Sequence, residues 1–149
     1  MNKRMFNRFL LLKLPIARIA GVRLRNMDDI SCAMEVRYGW RNQNPFNSMF
    51  WAVEGMAAEL STGALCISKV QASGRRVSML VVNLEAGFFK KAVGLIRFTC
   101  NQGAEVDAAL QRAFETMEPQ VVKLRSVGVD EQNDRVAEFV FTWSFKAKA

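Results

Sequence analysis

Apolar and polar residues alternate along five stretches of the chain, the period expected of strands with one face buried. From residue 30 the even positions read Ile30, Cys32, Met34, Val36, Tyr38, Trp40, and the odd ones Ser31, Ala33, Glu35, Arg37, Gly39, Arg41. Residues 77–89 alternate again, with Leu80, Val82, Leu84, Ala86 and Phe88 on the expected core face. Residues 93–101 follow a short basic link, Lys90-Lys91. Residues 120–129 and 135–146 flank the polar run from Asp130 to Asp134, which reads as a hairpin loop. The last of these strands sets Ala137, Phe139, Phe141, Trp143 and Phe145 on one face.

Two helices interrupt the strands. One, over 104–117, gathers Val106, Leu110, Ala113 and Met117 and stops before Pro119. The other, over 48–66, carries more information. At about 100° per residue, Met49, Val53, Met56, Leu60 and Ala64 form its apolar arc. The neighbouring arc holds Ala52, Gly55, Glu59 and Gly63, three of them the smallest side chains available, so a backbone or a ligand can approach closely there. Glu59 is the one ionisable group on that arc, and Glu54 points roughly 140° away from it. A further amphipathic helix opens the chain, with Met5, Phe9 and Leu12 on one side and Phe6 and Leu10 flanking, ended by Pro15. The order of elements, joined by short turns, predicts one α+β domain over residues 1–149 with an antiparallel sheet and an N-terminal arm of about twenty residues.

Composition narrows the chemistry. The chain has no histidine, which removes Ser-His-Asp triads, Cys-His pairs and imidazole metal ligands. Acid–base work falls to carboxylates, lysines, Tyr38 or water. Cys32, Cys66 and Cys100 form no CxxC pair, so no metal site is expected, and they read as buried reduced thiols of a cytoplasmic protein. The net charge of +7 belongs to the arm: residues 1–25 hold seven of the 21 bases and no acid, and the other 14 bases match the 14 acids. A basic groove across the body is therefore not expected, nor is a nucleic-acid partner. The arm is read as docking on its own domain, with contact to an anionic membrane surface as the second reading.

The segment NPFNSMFWAVEGMAAELSTG, with an acid twelve residues beyond Asn47, resembles the long-helix region of the hotdog superfamily, to which acyl-CoA thioesterases belong. VNLEAGFFKKAVGLIRFTC resembles the strands that follow that helix, and the likeness covers roughly residues 20–146. The resemblance implies a hotdog fold, an antiparallel sheet wrapped around a long central helix. It also implies a homodimer or a dimer of dimers, and acyl-CoA or an acyl-carrier thioester as substrate, with no cofactor beyond the CoA of the substrate. Position by position, Glu59 falls where the catalytic carboxylate stands, and the carbonyl-polarising turn falls at Phe46, Asn47 and Ser48. Asn44 and Trp51 are the implied neighbours of the substrate, and the pairs Arg75-Arg76 and Lys90-Lys91 the implied contacts to carrier phosphates.

The chain departs from many relatives at the helix start, where His-Gly-Gly is replaced by bulkier residues around Phe46 and Met49, and Trp51 stands where glycine is common. The resemblance and these departures together imply two functions: a thioester hydrolase, and a non-catalytic module that holds an acyl ligand or assembles on the same fold.

Overall fold

A computed structural model describes residues 2–149. The arm folds as two helices, α1 (Lys3–Lys13) and α2 (Pro15–Ala20), with Pro15 opening the second as well as ending the first. Strand β1 (Arg23–Met27), β2 (Cys32–Arg37), helix α3 (Trp51–Ser73), β3 (Val77–Phe88), β4 (Leu95–Cys100), α4 (Gly103–Thr116), β5 (Gln120–Val129) and β6 (Arg135–Ala147) follow in order. The six strands make one antiparallel sheet in the order β1-β2-β4-β5-β6-β3, so β1 and β3 are its edges.

The sheet curves around α3, which is buried on nearly every side between Val53 and Cys66. Such a helix must satisfy its polar groups inside the protein. Ser61 Oγ shares a 2.7 Å hydrogen bond with Ser126 Oγ on β5, and the Trp143 indole N–H on β6 donates to Thr62 Oγ1 at 2.9 Å. Phe139, Phe141, Trp143 and Phe145 all turn onto the core from β6. α4 packs Val106, Ala109, Leu110 and Ala113 against α3, β5 and β6.

Three expectations change here. The long helix starts at Trp51 and runs to Ser73, where Gly74 ends it in the left-handed region at φ 67°. In α1 it is Phe6 and Leu10 that dock, while Met5 and Leu12 face outward. Along β3 a bulge at Val82 shifts the register between Val81 and Asn83, which inverts the alternation. Val77, Met79 and Val81 pack on the core, Leu80 and Val82 point away, and Leu84, Ala86 and Phe88 come opposite Phe141, Phe139 and Ala137. Those last three share the helix side of the sheet yet remain exposed, because α3 does not reach over them.

Candidate active site

The chain enters α3 through a turn built by Asn44. Its Oδ1 accepts from the Phe46 N–H at 2.8 Å and the Ser48 N–H at 3.2 Å, and its amide donates to the Ser48 hydroxyl at 3.0 Å and the Met49 carbonyl at 3.2 Å. Asn47 takes φ 60° within the turn, a conformation asparagine adopts more readily than most residues. Lys91 Nζ donates to the Phe46 carbonyl at 3.0 Å, and the Met49 N–H to the Ala92 carbonyl at 2.9 Å, so the β3–β4 link holds the turn in place.

Two of the three N–H groups expected to polarise a carbonyl, those of Phe46 and Ser48, are thus engaged by Asn44. The open donors lie at Asn47 and, four residues further on, at the start of α3. Phe50 is the N-cap of α3 and has no side chain that accepts, so the Trp51 and Ala52 N–H groups meet no acceptor among the described residues. These unpaired donors sit at the positive end of a 23-residue helix.

The helix start opens on a cavity of about 570 Å³, lined by Asn44, Phe46, Ser48, Phe50, Trp51, Glu54, Phe88, Phe89, Lys90 and Lys91. Six residues singled out from the sequence, Asn44, Phe46, Ser48, Trp51, Lys90 and Lys91, therefore meet in one place. Their roles differ in kind. Trp51 and Phe46 are exposed and shape the mouth. Lys90 is held by Asp130 at 2.6 Å and Asp134 at 2.8 Å, which keeps its ammonium charged and largely neutralises its field. Arg75 and Arg76 lie beyond the other end of α3, roughly 33 Å along the helix from Trp51. There Arg75 stacks 4.2 Å from the Phe114 ring, and Arg76 donates to the Ala149 carbonyl at 3.1 Å. One protomer does not bring them to the cavity.

Two carboxylates are set apart by burial. Glu59 is half-buried on the small-residue arc, beside Gly63 and Trp143 and outside the lining of the cavity. Burial raises its pKa above the ordinary carboxylate value. Glu54 lines the cavity, is 5% exposed, and its Oε1 has no hydrogen-bond partner among the described residues. Burial pushes its pKa up to about 7, against the opposing pull of the helix start. The helical wheel places Glu54 on another arc from Glu59, and nothing in that pattern marks it as functional. Its place in the first turn of α3, where an acid meets the helix dipole, is the signal that points to it. Phe88 and Phe89, the apolar wall facing it, follow from the adjacent Phe-Phe-Lys-Lys run only once the strand register is known.

Residues 2–145 match the family described as "Domain of unknown function (DUF4442)". No curated protein matches the chain by sequence. Among solved structures, a Pseudomonas aeruginosa protein of unknown function described as "Probable Thioesterase" superposes with a TM-score of 0.83 at 21% identity, over 97% of this chain and 96% of the other. A Chlorobaculum tepidum protein of unknown function reaches 0.83 at 13% identity, over 98% and 94%. A thioesterase from Haemophilus influenzae reaches 0.74 at 12% identity, over 99% and 92%. At these identities the likeness is one of fold, and the fold is the hotdog fold.

Proposed function

The chain belongs to the DUF4442 family, and from that premise we propose that it is a thioester hydrolase whose site is built on α3. The observation that carries this reading is the uncapped start of α3, where the Trp51 and Ala52 N–H groups are open and Trp51 lines a largely apolar cavity, while carboxylates of raised pKa stand on the same helix. Donors fixed in that way suit the oxyanion that forms when a thioester carbonyl is attacked. Glu59 acts as the base. It takes a proton from water as the water oxygen bonds to the carbonyl carbon, and the C–S bond then breaks. The proton leaves with the thiol, and the acyl group leaves as a carboxylic acid. Phe88, Leu84 and Trp51 offer apolar surface for the acyl chain, and an acyl-CoA or an acyl-carrier thioester supplies it.

Within one protomer Glu59 stands eight residues past Trp51, about 12 Å along the axis. The donors of one copy and the carboxylate of a second are therefore proposed to form the working site, in a cytoplasmic homodimer or a dimer of dimers. Two observations support competing assignments. The unpaired Oε1 of Glu54 supports Glu54 as the base, and the exposed Trp51 indole at the mouth supports a non-catalytic acyl-binding module.

Free-thiol release from a panel of acyl-CoAs of different chain lengths and from acyl-carrier thioesters separates the three. Loss of a general base costs about 10²–10⁴-fold in rate. That loss in Glu59→Gln, with Glu54→Gln within a few-fold of the parent, is the expected result. The reverse pattern moves the base to Glu54, and no turnover of any thioester by the parent protein leaves the binding module.

A further inference from the structure

We propose that the outer face of the N-terminal arm is a docking surface for an anionic lipid bilayer. The arm is already seated on the body of the protein through Phe6 and Leu10 of α1 and Ala17 and Ala20 of α2, so its inner face is accounted for. The outer face is not. Leu12 is 76% exposed, and Met5, Leu11, Ile16 and Ile19 are each more than half exposed, all within fifteen residues of chain. Aliphatic side chains gathered in this way on a protein surface mark a contact with something apolar.

The charges around them say what that something carries. Lys3, Arg4, Arg8, Lys13 and Arg18 alternate with these aliphatic residues and pair with no carboxylate among the described residues. A groove bordered by Arg4, Arg8 and Leu11 of α1 runs across to Arg18 of α2, so the two helices present one surface. Bases that reach headgroup phosphates beside aliphatic residues that enter the acyl boundary are the make-up of an interfacial helix. A second copy of this chain is a poor occupant, since two faces of one sign repel. Nucleic acid would use the bases and leave Leu12, Ile16 and Ile19 without a role. No described helix is long and apolar enough to cross a membrane, so the contact is with the surface.

The test is co-sedimentation of the full chain with vesicles, and it does not depend on any hydrolase activity. Binding is expected to phosphatidylcholine vesicles containing about a third phosphatidylglycerol, and not to phosphatidylcholine alone, with release at high salt. Replacing Arg4, Arg8 and Lys13 by alanine should weaken partitioning roughly 100-fold, at about 5-fold for each base near the surface. Replacing Leu12, Ile16 and Ile19 by serine should weaken it at least about 10-fold with every charge kept. All six residues are exposed, so both variants should keep the parent's melting temperature. Failure to bind anionic vesicles, equal binding to neutral ones, or unchanged binding of the serine variant would each overturn the proposal. So would a DNA gel shift abolished by the basic substitutions alone, with no vesicle binding.

Discussion

Glu54 is the residue whose energetics are most exposed to experiment. A carboxylate that keeps its charge in a nearly buried place normally has a cationic partner or several N–H donors, and Glu54 Oε1 has neither. Burial therefore favours the protonated acid, and the pKa rises from 4.5 to about 7. The folded state then binds a proton more tightly than the unfolded chain does. The stabilisation is fully present below the unfolded value and is lost as pH rises through about 7. A rise of that size corresponds to about 3 kcal/mol. Glu54→Gln has no proton to lose, so its unfolding free energy should gain on the parent's by up to about 3 kcal/mol between pH 4.5 and 8. Urea titrations at both pH values measure this, and a difference between the two proteins that does not change with pH would show Glu54 to be solvated. Glu59 shifts in the same direction for the same reason, so its variant should gain in the same sense.

At the scale of elements, the small-residue arc of α3 finds its meaning in β6. The close approach that the Gly and Ala spacing predicts is made by aromatic rings: the Phe139 ring lies 3.5 Å from where a Cβ on Gly55 would stand, and Trp143 Cζ2 3.1 Å from one on Gly63. The Gly63 position would also bring a Cβ within 3.3 Å of Glu59 Oε1. Alanine at 55 makes an ordinary contact and gains helix propensity, so it should stabilise by up to about 1 kcal/mol. Alanine at 63 must move the Trp143 indole, which is tied to Thr62, or the Glu59 carboxylate. It should destabilise by about 1–3 kcal/mol and lower turnover, read by thermal melting and thiol release on both variants. Equal effects at the two glycines would remove the distinction. The same arc was legible in the sequence because period and residue size together report packing on a helix. Strand existence was legible for the same reason in β2, β4, β5 and β6. Strand β1 was not, because Arg23-Leu24-Arg25-Asn26-Met27 is a short edge strand with only Leu24 fully buried. In β3 only Leu80 and Val82 depart from the expected face, because one bulged residue, Val82, inverts the period, and Leu84, Ala86 and Phe88 keep that face. At the site, the Asn44-to-Trp51 stretch could be located from its residues, but which N–H groups stay open depends on where the Asn44 side chain bonds, and no spacing records that.

At the scale of the whole molecule the two sheet edges are treated differently. β1 has five residues, and its exposed positions carry Arg23, Arg25 and Asn26, which discourage another strand from pairing. β3 has twelve residues, and Glu85 is its only charge. Leu80, Val82, Leu84 and Phe88 are between 43% and 63% exposed along it. A long edge with unpaired backbone groups and apolar side chains is an aggregation hazard unless something covers it. An antiparallel strand can pair with its own copy about a two-fold axis, which closes the assembly at two and joins the sheets edge to edge. That arrangement would also cover the apolar groove formed by Leu84, Ala86 and Phe88 and place a second α3 beside the cavity. The protein should therefore scatter light as a multiple of two 16.8 kDa chains at micromolar concentration. Lysines at both Val82 and Leu84 would set like charges opposite one another across the pairing and should shift the mass to that of one chain. If the site is shared between copies, the same variant should lose thioester turnover while its melting temperature stays near that of the unassembled protein. A parent protein of single-chain mass, or a monomeric variant with full turnover, would place the whole site within one copy.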